Sequence, residues 1–373
     1  MQPLAGITVV SLEQAVAAPF ATRQLADLGA RVIKVERPEG DFARGYDERV
    51  RGLASYFVWC NRSKESIVLD LKTPEGAEAL MRLVARADVL VQNLAPGSAA
   101  RMGFDYATLK QAHPRLIVCD ISGYGSGGPD EARKAYDLLI QSEAGFLSVT
   151  GDGPNPAKAG ISVGDIAAGM YAYSTILAAL IERDQTGHGQ RLDISMLESL
   201  TEWMSFPLYY AFDGAPAPRR VGAEHATIYP YGPFPAADGE VMLGIQNDRE
   251  WTIFCAEVLE NAPLARDPRF DAVSRRSENR TALREIIAAA FAALTVVEVT
   301  AKLDAAGIAN AAVNDMARLW HHDQLAARNR WRHVETPVGP VPSLLPPGLD
   351  EARMDPVPAI GEHTERILKE LGL

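Results

Sequence analysis

The chain has 373 residues, 47% of them hydrophobic and 23% charged, with a formal net charge of −11. That length exceeds one ordinary compact core and that composition excludes disorder, so two domains are expected. The acidic balance argues against non-specific binding to nucleic acid or an anionic membrane, so a polyanionic ligand would have to be met by a local basic pocket.

Ile7 to Leu12 reads as a short strand, followed by a helix that Pro19 opens and Gly29 stops. Val32 to Val35 is the next strand, broken by Arg37-Pro38-Glu39-Gly40. A loop-like stretch covers 41–66, and Ile67 to Leu69 is extended again. Thr73-Pro74-Glu75 supplies the N-cap, first-turn proline and first-turn acid of a helix running to about Ala87. Val89 to Val91 and Leu116 to Val118 are further strands. Strands separated by helices of this length predict an α/β fold with a Rossmann-like large domain and a parallel sheet. Ligands of such sheets bind beyond the carboxyl ends of the strands, which directs attention to the loops at 36–47, 92–97 and 120–134. The turn Glu13 to Pro19 after the first strand has no glycine, which removes a dinucleotide-binding dehydrogenase, and no GxxxxGK[ST] phosphate loop is present.

From about residue 213 the texture changes. The expected division is a large domain over 1–212 completed by 333–373, a smaller α+β domain over 221–320, and linkers at about 213–220 and 321–332. The small domain should hold a strand at Val241 to Ile245 and helices near 250–259, 279–293 and 296–306. The three cysteines, Cys60, Cys119 and Cys255, offer neither a metal spacing nor a disulfide framework. The N-terminus has no basic leader, and no apolar run approaches the roughly 20 residues needed to span a bilayer. A cytoplasmic protein without a resident metal is expected.

Asp165 stands in Gly160-Ile161-Ser162-Val163-Gly164-Asp165, just before a helical stripe at 166, 170, 173, 177, 180 and 181, and is expected as the N-cap of that helix. It either caps and nothing more, or is a carboxylate kept ionised by the helix dipole and able to attack a thioester, with Gly164 leaving room for a close neighbour. Lys34, Arg37, Lys72, Arg101 and Lys134 each read as solvated surface when taken alone; together they fall on successive loops at one sheet edge, where they could gather phosphates. Residues 120–129 form a glycine-rich loop that either connects or lets a ligand approach. His188 reads as turn chemistry. His225, before a tyrosine-rich stretch, is a pocket candidate with an equal structural alternative.

These residues sit in segments that resemble the class III CoA-transferase family, which includes formyl-CoA transferase and the carnitine CoA-transferases: LADLGARVIKVERPEGD at 25–41, NRSKESIVLDLKTPEG at 61–76, VQNLAPGSAARMGF at 91–104, KAYDLLIQSEAG at 134–145, GISVGDIAAGMYA at 160–172 and TGHGQRLDISMLES at 186–199. The resemblance implies an interlocked homodimer, a nucleophilic Asp165, and CoA contacts at Val16, Ala17, Arg37, Leu69, Lys72, Asn93, Arg101 and Lys134. Coenzyme A would be a thioester substrate rather than a permanent cofactor. The run of consecutive glycines that covers the nucleophile in formyl-CoA transferase is missing; Val221 to Gly232 stands in its place.

Two other readings stay open. A 2-methylacyl-CoA racemase of the same family would carry a His-Asp pair where this chain has Tyr136-Asp137, so one of its two bases is absent. A non-catalytic CoA-binding homologue would not need Asp165. On the transferase reading, Tyr136, Asp137, His225 and Arg44 are candidate substrate contacts. The loop Gly40 to Asp47, with Ser55 to Trp59 after it, resembles the branch that handles C4 and C5 dicarboxylates, mesaconyl-CoA C1–C4 CoA transferase among them. Arg44 could hold a free carboxylate in a bidentate fork, or pair with Asp41 or Asp47.

Overall fold

The structure, a computed structural model, describes residues 2–373. Two compact units divide the chain: one comprises the residues up to 146 with 159–205 and 324–373, the other 147–158 with 206–323. The second unit thus begins earlier than the expected linker at 213–220 and also takes in a short segment between 146 and 159.

In the first unit the chain runs β1 (Thr8–Leu12), α1 (Ala17–Asp27), β2 (Arg31–Glu36), α2 (Ser55–Asn61), β3 (Lys64–Val68), α3 (Pro74–Val84), β4 (Val89–Gln92), α4 (Ser98–Arg101), α5 (Tyr106–Ala112), β5 (Ile117–Ser122), α6 (Asp137–Glu143), α7 (Val163–Thr186), β6 (Arg191–Ser195) and α8 (Met196–Trp203). The six strands form one sheet in the order β3-β2-β1-β4-β5-β6, every pair parallel. Alternation along the strands feeds two cores. Val9, Val32, Val89 and Ile117 pack with α1, α7 and α8. Val10, Ile33, Ile67, Leu90 and Val118 pack with α3, α5 and the C-terminal helix Thr364–Leu371. Burial on both faces is why these strands read as nearly continuous apolar runs.

The stretch expected as loop over 41–66 is more ordered than that. It holds a 3-10 turn at Phe42–Gly45, then α2, and β3 already starts at Lys64. The sequence hides β3 because Lys64 and Ser66 are polar yet buried. The 24-residue α7 is long and apolar enough to cross a membrane, which corrects the expectation that no apolar run approaches that length. It serves instead as a core helix, with Ala168, Ala172, Ile176 and Leu180 in the first core. Its crossing with α1 is close: a Cβ on Gly169 would lie 2.7 Å from the Ala17 carbonyl oxygen and 2.9 Å from the Phe20 ring.

The second unit centres on a three-stranded antiparallel sheet of β7 (Tyr231–Ala236), β8 (Gly239–Gly244) and β9 (Ala309–Ala312) in the order β9-β8-β7. Helices α9 (Arg280–Phe291) and α10 (Val296–Ala305) pack on it around Trp251, Phe254, Phe270 and Phe291. The three cysteines are free and buried, one in α2, one in β5 and one in the helical turn after residue 253.

Candidate active site

A cavity of about 580 Å³ opens beyond the carboxyl ends of β1, β2 and β3, where a parallel sheet presents its loops. Leu12, Val35, Leu69 and Leu94 give it an apolar wall, and Arg37 and Lys72 stand in its lining as cations. Arg37 donates from Nε to the Gly40 carbonyl at 2.9 Å and lies 3.8 Å from Glu39. A second cavity of about 350 Å³ lies beyond β4, β5 and β6, but its lining is acidic and its cation, Arg191, is paired with Asp120 at 2.7 Å.

Charges lie buried next to the first cavity. Lys34 Nζ donates to Asp41 at 2.8 Å and sits 3.4 Å from Glu13, and Lys64 Nζ donates to Glu13 at 2.6 Å; the side chains of Lys34, Lys64, Glu13 and Asp41 are all buried. Burial depresses the Lys64 ammonium to about 8 although Glu13 opposes the shift. Burial would raise Glu36, but Arg44, Lys34 and Ser66 hold it down at about 2. Such groups must be paired to be tolerated. The network also fixes the turn after β1. Ala15, at φ 61°, donates its backbone N–H to Asp41, and Asn93 both accepts from Gln14 N and donates to Gln14 O, each at 2.9 Å.

Asp165 lies in the first turn of α7 and is not its N-cap; Ser162 is, without a side-chain capping bond. Asp137, at the start of α6, does the capping from outside: its Oδ1 accepts from Gly164 N at 2.8 Å and from Asp165 N at 3.4 Å. Gly164 therefore does leave room for a close neighbour, but the neighbour is Asp137, 3.2 Å from where a Cβ would be. Asp165 keeps some solvent exposure, yet protein crowds most of its surroundings. That burial, and then the Asp137 charge, push its carboxyl up to about 7. The expectation of a carboxylate held firmly ionised by the helix dipole is thus corrected, because desolvation and a like charge prevail over the dipole.

Two tyrosines stand near the first turn of α7. Tyr46 is raised to about 12 by burial, with Asp41, Asp165, Tyr136 and Tyr56 as the neighbouring charges that add to it. Tyr56 packs edge-on to Tyr46 at 5.7 Å, and its hydroxyl lies 3.4 Å from Ser162 Oγ. Asp41 lines the cavity, so Tyr46 feels a charge from the cavity wall and one from the first turn of α7.

Among the residues expected to contact a ligand, Arg37, Leu69 and Lys72 line the cavity. Val16 and Ala17 are buried where α1 begins. Asn93 has its amide engaged by Gln14 and acts on that turn. Arg101 donates to Ser98 Oγ at 2.7 Å, and Ser98 itself lines the cavity. Lys134 is exposed on the loop before α6 and lines neither cavity. Tyr136 is exposed beside Tyr46, while Asp137 has both oxygens taken, Oδ2 by Gln141 Nε2 at 2.7 Å. Lys34, expected with the surface cations, is buried in the network. In the glycine-rich loop, Ser126 bonds to Asp193 through both its backbone N–H and its hydroxyl.

Arg44 pairs with neither Asp41 nor Asp47. Its Nε and Nη2 donate to Glu36 at 2.9 and 2.7 Å, and its guanidinium lies 3.6 Å from the Phe57 ring centre. With its fork on Glu36, Arg44 is not available as the dicarboxylate clamp. His225 belongs to the second unit. Its Nδ1 accepts from Thr227 N and Ile228 N, and its ring stacks on Tyr231 at 5.3 Å. Burial and the Arg280 charge lower its pKa, so the neutral ring is favoured.

The sequence does not mark Glu13, Gln14, Tyr46 and Tyr56 as site residues. Glu13 and Gln14 follow the first strand directly, where ligands of such sheets bind, but that turn carries no motif besides its lack of glycine. Tyr46 and Tyr56 had no periodicity to mark them, being on either side of an irregular loop.

A sequence model of the family described as CoA-transferase family III matches residues 4–364. The chain is 34% identical over 388 residues to the succinate–glutarate CoA-transferase of Agrobacterium fabrum, covering 99% of this chain and 96% of that one. It is 34% identical over 398 residues to the succinyl-CoA:mesaconate CoA-transferase of Haloarcula hispanica, covering 100% and 97%. Among solved structures, a CAIB/BAIF family protein from Brucella suis matches with a TM-score of 0.86 at 34% identity, covering 99% of each chain.

Proposed function

This chain belongs to CoA-transferase family III and is an enzyme acting on CoA thioesters, and we propose that it moves CoA between short dicarboxylic acids through a covalent intermediate on Asp165. The observation that carries this reading is the position of Asp165: a crowded carboxylate on the first turn of α7, whose charge acts on Tyr46 together with that of Asp41, a residue lining the cavity that holds Arg37 and Lys72. The cavity takes the CoA moiety, with the two cations toward its phosphates.

The Asp165 carboxylate attacks the thioester carbonyl. The C–S bond breaks, giving a mixed anhydride and CoA thiolate. The thiolate attacks the Asp165 carbonyl of the anhydride, releasing the first acid and leaving an aspartyl-CoA thioester. The second acid attacks that thioester, displaces the thiolate again, and the thiolate takes the new acyl group and frees Asp165. Each step exchanges one acyl bond for another, which is what covalent catalysis offers a difficult transfer.

The dicarboxylate class draws support from the named substrates of the relatives, succinate, glutarate and mesaconate. A diacid also permits CoA to leave one carboxyl and return to the other on the same molecule. The interlocked homodimer draws support from exposed Leu139, Ile161 and Trp203 in the first unit and Phe206, Leu208 and Tyr209 in the second. Sedimentation at nanomolar concentration should then show no folded monomer.

The test of the reaction is a matrix of acyl-CoA donors against free acids read by mass spectrometry, with mesaconyl-C1-CoA alone as one cell. Borohydride added with donor should label the peptide that contains Asp165. A label elsewhere, or full activity in Asp165→Ala, ends the covalent reading; turnover with monoacids only ends the dicarboxylate reading.

A further inference from the structure

We infer that Asp137 is a positioning residue for the transfer: its carboxylate closes the first turn of α7 and keeps a fixed negative charge against Asp165. The inference rests on Asp165 being the nucleophile. Ser162 makes no side-chain bond to the free N–H groups at the start of α7, so the helix does not cap itself. Asp137 Oδ1 takes the Gly164 N–H, and Oδ2 receives Gln141 Nε2. Gln141 is buried, and its Oε1 accepts from Ala159 N at 2.9 Å. Two side chains one turn apart on α6 thus hold the chain on both sides of residues 160–163, the segment that delivers Asp165. With both oxygens bonded inside the protein, Asp137 is a support of the nucleophile's helix rather than a substrate contact.

The first turn of a helix attracts anions. Here Asp137 occupies that position from another element, so Asp165 is left with a like charge where it would otherwise gain from the helix. Four segments besides its own lie around the first turns of α7. Asp137 comes from α6, with Tyr136 just before it. Tyr46 comes from the segment after the 3-10 turn, and Tyr56 stands behind it on α2. From α1, Phe20 packs on α7 and carries no charge. No cation among the described residues acts on Asp165, and its carboxyl rises to about 7. A carboxylate of that basicity is a stronger nucleophile than an ordinary aspartate and is still substantially ionised near neutral pH.

The test follows release of the free acid from donor alone, in a single turnover between pH 5 and 9, with borohydride labelling of the Asp165 peptide alongside. Wild type should show a rate that rises with pH and levels off above about pH 7, the range to which burial and a like charge push the carboxyl. Asp137→Asn keeps an acceptor for Gly164 but removes the charge; its rising limb should move down by about one pH unit and its plateau rate should fall roughly tenfold. Because the new amide opposes Gln141, the double change Asp137→Asn with Gln141→Glu restores every hydrogen bond and places the charge one helical turn farther along α6. It should recover wild-type thermal stability while its limb stays below that of wild type. A limb that does not move in Asp137→Asn, with the label still on Asp165, overturns the inference and leaves the nucleophile in place. A label that falls elsewhere in wild type removes the nucleophile and the inference together.

Discussion

Beside the cavity, Glu13, Glu36 and Asp41 face Lys34, Lys64 and Arg44, three acids interleaved with three bases. At the start of α7, Asp165 faces Asp137 and no cation among the described residues. Both regions remove carboxylates from water, yet the first holds Glu36 at about 2 and the second lifts Asp165 to about 7. The difference is one of pairing. Charges that hold the scaffold are neutralised in place, because a buried unpaired charge costs several kcal/mol. The carboxylate proposed as the nucleophile is left under-stabilised, the condition under which a carboxylate gains nucleophilicity.

Four experiments test that contrast. The largest effect is expected from Asp165→Asn, which is nearly isosteric but a poor nucleophile. CoA transfer should fall by roughly 10⁴-fold, the order seen when one member of a catalytic set is removed, with CoA affinity by calorimetry close to wild type. A loss below tenfold would place the reactive group elsewhere.

Next in size, Glu13→Ala should destabilise the first unit by about 3–5 kcal/mol, since it strands Lys64 and weakens the hold on Lys34 in a buried site. Urea unfolding reads this directly. An unchanged midpoint would mean that water reaches the network and that the contrast between the two regions is not one of pairing.

Arg37→Ala together with Lys72→Ala should weaken CoA binding by about 1–2 kcal/mol, since solvent screens both groups. The loss should shrink with added salt. Unchanged affinity in calorimetry would move the CoA phosphates out of this cavity.

The smallest effect is again in Asp165→Asn, now on stability. The folded protein holds the Asp165 proton up to about pH 7, whereas the unfolded chain releases it near the ordinary aspartate value. The native state therefore binds more protons between about pH 4 and 7, and stability falls as pH rises through that window. Asparagine removes the penalty, so the variant should be more stable than wild type by about 1 kcal/mol at pH 8 once solvent screening of this part-exposed group is allowed for. The gain should vanish by pH 4. A gain that is equal at both pH values would have a cause other than the charge.

How much of this could be read from the sequence follows from the range of the forces involved. The alternation of strand and helix, the parallel sheet, the helix opened by Thr73 and Pro74 and the long helix after Asp165 were all legible, because periodicity, caps and β-branched runs act over a few residues. Arg37, Leu69 and Lys72 were placed at the sheet edge by topology together with the family resemblance, and the cavity includes them. Pairings across tens of residues were not legible. Glu13 meets Lys64 across 51 positions, Asp137 caps Gly164 across 27, and Arg44 turns to Glu36 instead of the nearer Asp41 or Asp47. Nothing local marks such partners, since a carboxylate has the same letter whether it is paired, capping or reactive. The sequence by itself determined that a carboxylate stands at the start of a long helix in a domain built on a parallel sheet. Only the tertiary structure decided that this carboxylate lacks a cation while its buried neighbours have theirs, because burial and Coulomb energy depend on distances that folding sets.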